Sequence, residues 1–287
     1  MPTIETRNPL PSANIGRHLL RGQAPCTRRF ARSPQSRGVL AAPSTGTADV
    51  RCFFDRSAAT GSPEQHGDPQ RLLEYRLGLV RDLAAVRRCD VVLDLGCGHG
   101  HHLLGLAPGI ARGIGIDLSP GMIALARARL RNSRCTSKLT FAVDDAEVLS
   151  TVADRSIDLA MCIGAFEHML DKRAVLASVY RVLKPGGRFL CLTLHADYVW
   201  YRTIAPLLRY GTRHLSSDRL LTRDEFSALL DAAGFRRIRA APWTFVPRGD
   251  MPAPAAALLA ALDVVGRHAR LDSLRGGLAL CAWKAAP

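Results

Sequence analysis

From residue 90 onward the chain alternates two textures. Short apolar or β-branched runs recur at 90–95, 110–116, 139–143, 157–163 and 188–195. Between them lie segments whose apolar residues return every three to four positions. The first texture predicts strands and the second predicts helices that bury one side. A helix is expected over 71–86, where Leu72, Leu73, Leu77, Leu79, Val80 and Leu83 share a spacing of that kind. Ser119 followed by Pro120 predicts a capped helix through Ile123, Leu125, Ala126 and Leu130. Residues 174–183 form another, stopped by Lys184-Pro185-Gly186-Gly187. Thr222-Arg223-Asp224-Glu225 is a capping box for 225–233, with Gly234 as terminator.

Strand and helix in such regular succession imply right-handed crossovers and a parallel sheet covered on both faces. Residues 278–284 read as a last strand, antiparallel to 235–240. The expected fold is therefore α/β, a Rossmann-like seven-stranded, mostly parallel sheet with helices on both faces and an antiparallel last strand. Its ligand crevice lies beyond the carboxyl ends of the strands, where the strand order reverses. Residues 51–287 form this domain, interrupted by insertions at about 196–221 and 243–274. Residues 1–50 are rich in Pro, Arg, Ser and Ala and lack a sustained apolar period. They read as a disordered tail or a misassigned start, with an Arg-rich transit peptide as the functional alternative.

Composition changes the picture in three places. The formal charge of +14 raises the question of nucleic acid. The cations are nearly all Arg, scattered singly or in pairs outside the first fifty residues, and no aromatic-interleaved basic stripe forms, so no specific nucleic-acid partner is expected. No apolar run reaches membrane-spanning length, which points to a soluble, cytoplasmic protein. The apolar stretch 255–270 ends in basic residues and allows peripheral contact with a membrane. The eight cysteines have no C-x-x-C pair and several sit inside strand-like runs, so free thiols are expected, with no metal.

The chemistry concentrates at strand ends. Val91-Val92-Leu93-Asp94-Leu95-Gly96-Cys97-Gly98-His99-Gly100 runs a strand into a loop with glycine at every second position. Without a Cβ, such a loop lets a ligand lie against the backbone. The dinucleotide fingerprint needs a further glycine where His101 stands, which weakens that reading. Asp117, ending the next strand, suits the hydroxyls of a ribose. Asp144-Asp145-Ala146-Glu147 follows the third strand. Residues 156–168 carry the fourth strand into Phe166-Glu167-His168, and 181–190 make a helix stop, turn and strand start.

These blocks, in this order, resemble the class I S-adenosylmethionine-dependent methyltransferases. Within them the resemblance is closest to the ubiquinone/menaquinone-biosynthesis-type small-molecule enzymes. It covers roughly 53–235, including Phe53-Phe54-Asp55, which resembles the lid segment of that group. It implies S-adenosyl-L-methionine as cofactor, with Asp94, Gly96, Cys97 and Gly98 at the methionine end and Asp117 with Leu118 at the ribose. Asp145 and Ala146 then read adenine, while Cys162 and Ile163 lie beside the cofactor. Asp144 stands where the family often has glycine, and His99 where it often has threonine or serine.

A sulfonium methyl is already electrophilic, so alignment and exclusion of water do most of the work. A general base helps only where the acceptor must lose a proton. His168 is the first candidate, with Glu167 beside it and His195 at the end of the fifth strand; local hydrogen bonding without any base is the plain alternative. The insertion 196–221 holds Tyr198, Trp200, Tyr201 and Tyr210 among Arg202, Arg209 and Arg213. Aromatic rings beside cations suit a lipophilic or aromatic small-molecule acceptor with a polar end, methylated at O or C. Methylation of nucleic acid or protein is the competing enzyme reading, and a non-catalytic cofactor-binding protein the competing class. Residues 163–166 lack the Asn/Asp-Pro-Pro-aromatic box of DNA-base amino methylation.

Overall fold

A computed structural model describes residues 46–60, 69–207, 215–243 and 253–286. The expected tail up to residue 45, together with Arg209, Tyr210 and Arg213, lies outside the described residues. Seven strands form one sheet: β1 (Val91–Leu95), β2 (Arg112–Asp117), β3 (Leu139–Val143), β4 (Ile157–Ile163), β5 (Leu183–Leu194), β6 (Phe235–Trp243) and β7 (Gly277–Lys284). Their order is β3-β2-β1-β4-β5-β7-β6. The first five run parallel, and β7 enters between β5 and β6, antiparallel to both. Strand order reverses between β1 and β4, the point at which open α/β sheets place their ligand crevices, at the carboxyl tips.

The helices are α1 (Thr47–Thr60), α2 (Pro69–Ala84), α3 (His101–Leu106), α4 (Pro120–Arg131), α5 (Lys172–Val182), α6 (Ala205–Leu207), α7 (Arg223–Ala232) and α8 (Ala253–Ala269). Two apolar cores cover the two faces of the sheet. One joins Leu93, Leu95 and Cys162 to Val175 and Leu176 of α5 and Phe226 and Leu230 of α7. The other joins Val92, Leu159 and Met161 to Leu72, Leu77 and Val80 of α2, Leu103 of α3 and Ile123 of α4. Adjacent residues Val92 and Leu93 fall in different cores because side chains alternate across a strand. That explains the near-continuous apolar runs of the parallel strands.

Local signals resolve as expected at most ends. Ser119 Oγ accepts from Met122 N at 3.0 Å. The Thr222–Glu225 capping box is reciprocal, at 3.1 and 2.9 Å. One boundary differs. Pairing of β5 begins at Leu183, opposite Ile157, and resumes with Arg188 opposite Leu159, so the turn residues 184–187 bulge out within the strand. α1 starts at Thr47, inside the expected tail, and buries Val50 and Cys52.

The expectation of free thiols holds at Cys89, Cys97, Cys135, Cys162, Cys191 and Cys281. It fails at Cys52, which is disulfide-bonded. Bridging depends on which Cα atoms the fold brings together, and sequence spacing does not encode that. No described helix is long and apolar enough to cross a membrane.

Candidate functional site

The loop after β1 is shaped by backbone. Gly96, Gly98 and Gly100 all have positive φ, at 66°, 50° and 79°. A Cβ at Gly96 would stand 2.5 Å from Ala165 Cβ, so the loops after β1 and β4 touch there. A Cβ at Gly98 would meet nothing within 4 Å and would project into open space. The first glycine lets two loops close together, and the second leaves open space beside the bend.

Asp117 ties this loop to the next one. Its Oδ2 accepts from Gly98 N and its Oδ1 from Ser119 N, both at 2.9 Å. Burial raises its pKa, although these two bonds pull the other way. Each carboxylate oxygen keeps a second lone pair for a ligand hydroxyl. Asp94 is fully buried, its Oδ2 accepts no hydrogen bond, and burial followed by repulsion from Asp117 raises its pKa strongly. A buried carboxylate oxygen in that condition is costly unless a donor or cation meets it.

Past β3 the two aspartates separate by role. Asp144 accepts from Ser150 and Thr151, backbone and hydroxyl alike, at 2.7–3.2 Å, and these bonds lower its pKa despite burial. Asp144 therefore builds the loop. Asp145 spends one oxygen on Glu147 N at 2.9 Å and remains half-buried, with Ala146 buried beside it. This division follows from side-chain contacts seven residues down the chain, which the dipeptide alone does not carry.

α1 closes over the bend. Asp55 Oδ1 accepts from Ser119 Oγ at 2.5 Å and from Gly121 N at 3.0 Å, at the start of α4. An acid is favoured at that helix end. Phe54 meets the His168 ring edge-on, with centroids 5.2 Å apart. On α2, Arg76 lies over the Trp243 ring at 5.5 Å, and its Nη2 comes within 3.8 Å of where a Cβ would stand on Gly164, at the tip of β4. Arg76 was not among the expected site residues, and Asp55 was named only as part of the lid-like segment. Each reaches the site from a helix outside the β-strand pattern.

His168 is buried, and its Nδ1 sits 2.7 Å from Asp218 Oδ1. Asp218 is buried too, and its Oδ2 accepts from Leu215 N at 2.9 Å. Burial lowers the His168 pKa, but the Asp218 hydrogen bond and the charges of Glu167 and Asp218 outweigh it, for a net rise. Asp117 is close enough to His168 for their charges to interact. Glu167 is turned elsewhere: its Oε2 accepts from Thr193 Oγ1 at 3.0 Å, and its carbonyl accepts from Arg219 N at 3.1 Å.

His195 is also buried, and neither ring nitrogen has a hydrogen-bond partner. Its nearest acid is Asp197, at 3.9 Å. The three expected catalytic residues thus occupy three different settings, and His168 is the one joined to an acid by a short bond. Cys162 and Ile163 are buried in β4, and Cys162 pairs in register with Cys191 on β5.

The insertion 196–221 divides its aromatics. Tyr198 and Trp200 are buried with Ala205 and Leu259 of α8, so they are packing residues. Tyr201 instead borders a cleft of about 430 Å³ with Arg202, Ser216, Ser217, Asp218 and Arg219. Asp218 borders both this cleft and His168. Among the described residues no group of three or more His, Cys, Asp or Glu is placed to hold a metal ion.

A parallel sheet reversing between β1 and β4, a glycine bend, an acid on β2 and a last strand, β7, inserted antiparallel between β5 and β6 define the class I methyltransferase fold. Residues 92–187 match the methyltransferase-domain family, so the chain carries a methyltransferase domain. Over 150 residues it is 35% identical to O-methyltransferase cnsE of Penicillium expansum, covering 51% of this chain and 52% of that one. Over 140 residues it is 33% identical to a ubiquinone biosynthesis O-methyltransferase of Xanthomonas oryzae, covering 46% and 56%. The chain spans about half the length of these curated relatives. Among solved structures, the methyltransferase crystallised with the Haloferax volcanii Trm112 activator is 28% identical, with a TM-score of 0.57 over 81% of this chain and 97% of that one. The geranyl diphosphate C-methyltransferase of Streptomyces coelicolor shares the fold at 16% identity, with a TM-score of 0.60 over 85% of this chain and 100% of that one.

Proposed function

We propose that the protein is an S-adenosylmethionine-dependent methyltransferase acting on O or C of a small, lipophilic or aromatic acceptor. The observation that carries this reading is the unpartnered, buried Asp94 Oδ2 on the strand that leads into a glycine bend with open space at Gly98. An ammonium group answers the charge of Asp94, a ribose answers Asp117, and an adenine ring with a donor amine answers Asp145 with the Ala146 backbone. Those three needs coincide in one molecule, S-adenosylmethionine, and relatives over 92–187 are methyltransferases. Arg76, at the tip of β4, suits the carboxylate at the methionine end.

When bound, the cofactor supplies an electrophilic methyl on a sulfonium. The chain's part is to hold the acceptor against it, keep water out and accept a proton. α1 excludes water: Asp55 pins it to the start of α4, and Phe54 covers the His168 ring. His168 is the base. With Asp218 accepting from Nδ1–H, the ring is held in the tautomer whose lone pair is on Nε2, the atom that takes the acceptor's proton, and the adjacent carboxylate stabilises the imidazolium that forms. Tyr201 beside Arg202 and Arg219 supports an acceptor with a flat body and a polar end.

Calorimetry with S-adenosylmethionine tests the cofactor reading. Wild type is expected to bind, and Asp117→Ala to weaken binding on the order of 10- to 100-fold, as for hydrogen bonds to a charged group. Absence of binding to wild type refutes the proposal. Labelled-methyl transfer into a lipid extract, set beside RNA and protein, then reports the acceptor class.

A further inference from the structure

α8 is polar on the wrong side. Over its middle turns the buried positions are Leu259, Asp263 and Gly266, with Leu262 half-buried. The positions facing solvent are Ala257, Leu258, Ala260, Ala261, Val264 and Val265. These recur at helical spacing, so they form one continuous stripe. A surface helix normally shows charge to water and apolar residues to the core. Here the carboxylate of Asp263 points inward, 3.9 Å from Arg275 Nε, while the six solvent-facing positions from Ala257 to Val265 are all Ala, Leu or Val. Leu258, Val264 and Val265 are each about half exposed, at 52%, 48% and 53%, and Leu271 follows at 49% just past the helix. Single exposed apolar residues are ordinary, but an apolar stripe of about two and a half turns on a helix that buries its acid is not.

We infer that this face of α8 docks on the surface of an anionic bilayer, the helix lying in the plane between headgroups and acyl chains. Two considerations select this occupant over a second copy of the chain. A 17-residue helix is about 25 Å long, so one face about 10 Å wide offers roughly 250 Å² per partner. Stable protein pairs need about 800 Å² from each side. A bilayer imposes no such minimum, because it also attracts the whole charge of the protein. With 39 Lys and Arg against 25 Asp and Glu, two copies repel one another, whereas an anionic leaflet draws the chain in. Exposed His268 and Arg270 close the stripe at its carboxyl end, where headgroup phosphates would lie. The inference does not depend on the methyl-transfer reading.

Flotation of the full-length protein tests it, using vesicles of phosphatidylcholine with phosphatidylglycerol and vesicles of phosphatidylcholine alone. Wild type is expected to float with the mixed vesicles and to partition less onto the neutral ones. The double variant V264E/V265E is expected to lose at least about tenfold in partitioning, since it places two carboxylates on the stripe. Leu258→Gln adds no charge and should weaken binding to a smaller extent; it also serves if the double variant melts early. Val148→Glu makes one such charge change at a 58% exposed site elsewhere and should leave binding near that of wild type. Failure of wild type to float overturns the inference. So does undiminished binding of V264E/V265E and L258Q, which would assign binding to arginines elsewhere, or an equal loss in V148E. A wild-type dimer in sedimentation that V264E/V265E splits, without any vesicle binding, assigns the stripe to a second copy instead.

Discussion

Around the tip of β1 the site is made of backbone and short loops. Gly98, Asp117 and Ser119 are joined by hydrogen bonds, Gly96 packs against Ala165, and strand pairing of β1 with β2 sets their spacing. Around Asp218, by contrast, the parts come from far apart: His168 follows β4, Asp218 belongs to the insertion after β5, and Phe54 comes from α1. The first region follows from the strand register and tolerates little change in backbone. The second follows from the packing of separate segments, so its side chains can be altered one at a time. One half of the site is therefore set to hold a fixed ligand, and the other is free to be rebuilt around different acceptors.

Five substitutions sharpen or break that contrast. His168→Ala is expected to lower kcat about 10²- to 10⁴-fold, with cofactor affinity nearly unchanged, because it removes a base and touches none of the backbone bend. Equal turnover in this variant would leave alignment alone as the catalytic device.

Asp218→Asn should lower kcat about tenfold, less than loss of the ring itself. It also carries a pH signature. In the proposed mechanism neutral His168 is the active form, and Asp218 helps raise its pKa, so wild-type activity is expected to climb as pH rises through a value above the ordinary 6.5. In the Asn variant that inflection should move to lower pH. A profile that keeps its inflection separates Asp218 from the proton.

Gly98→Ala puts a methyl on the clear side of the bend at a φ of 50°, in space where no protein atom lies within 4 Å. Cofactor affinity should fall about tenfold, with a loss of only about 1–2 kcal/mol in fold stability for the left-handed backbone. Gly96→Ala is the counterpart: its Cβ meets Ala165, so it should cost more stability than Gly98→Ala does. Matching melting temperatures and affinities for the two would contradict the division of labour between these glycines.

The smallest effect is expected from Asp94→Asn, read as the melting temperature without cofactor. A carboxyl with a raised folded pKa stabilises the fold below its unfolded pKa, and that contribution is lost as pH rises through the folded value. The uncharged variant should therefore melt a few degrees higher than wild type at pH 8, with the gap closing in acid, while binding S-adenosylmethionine less well. A variant less stable at pH 8 would show that the Asp94 charge already has a partner in the free protein.

The fold was legible wherever the physical signal is local. Ser119 and Thr222 announce helix starts because a cap is satisfied within three residues. The glycine bend and Asp117 were legible because register fixes neighbouring strand tips once the strands are known. Bulging of 184–187 within β5 was not, since pairing with Ile157 across the sheet decides it. Tyr198 and Trp200 looked like acceptor contacts, but α8 buries them, and aromatic residues carry no mark of which side they will face. The Cys52 bridge escaped for the same reason.

Taken alone, the order of residues determined the α/β alternation, the glycine bend after β1 and the class of domain, because period, caps and glycine bends act over a few residues. Only the tertiary structure decided that Asp218 reaches His168, that Asp144 supports a loop while Asp145 stays available, and that α8 turns its acid inward. Those outcomes depend on which distant segments share the cost of burial. No local pattern encodes that choice.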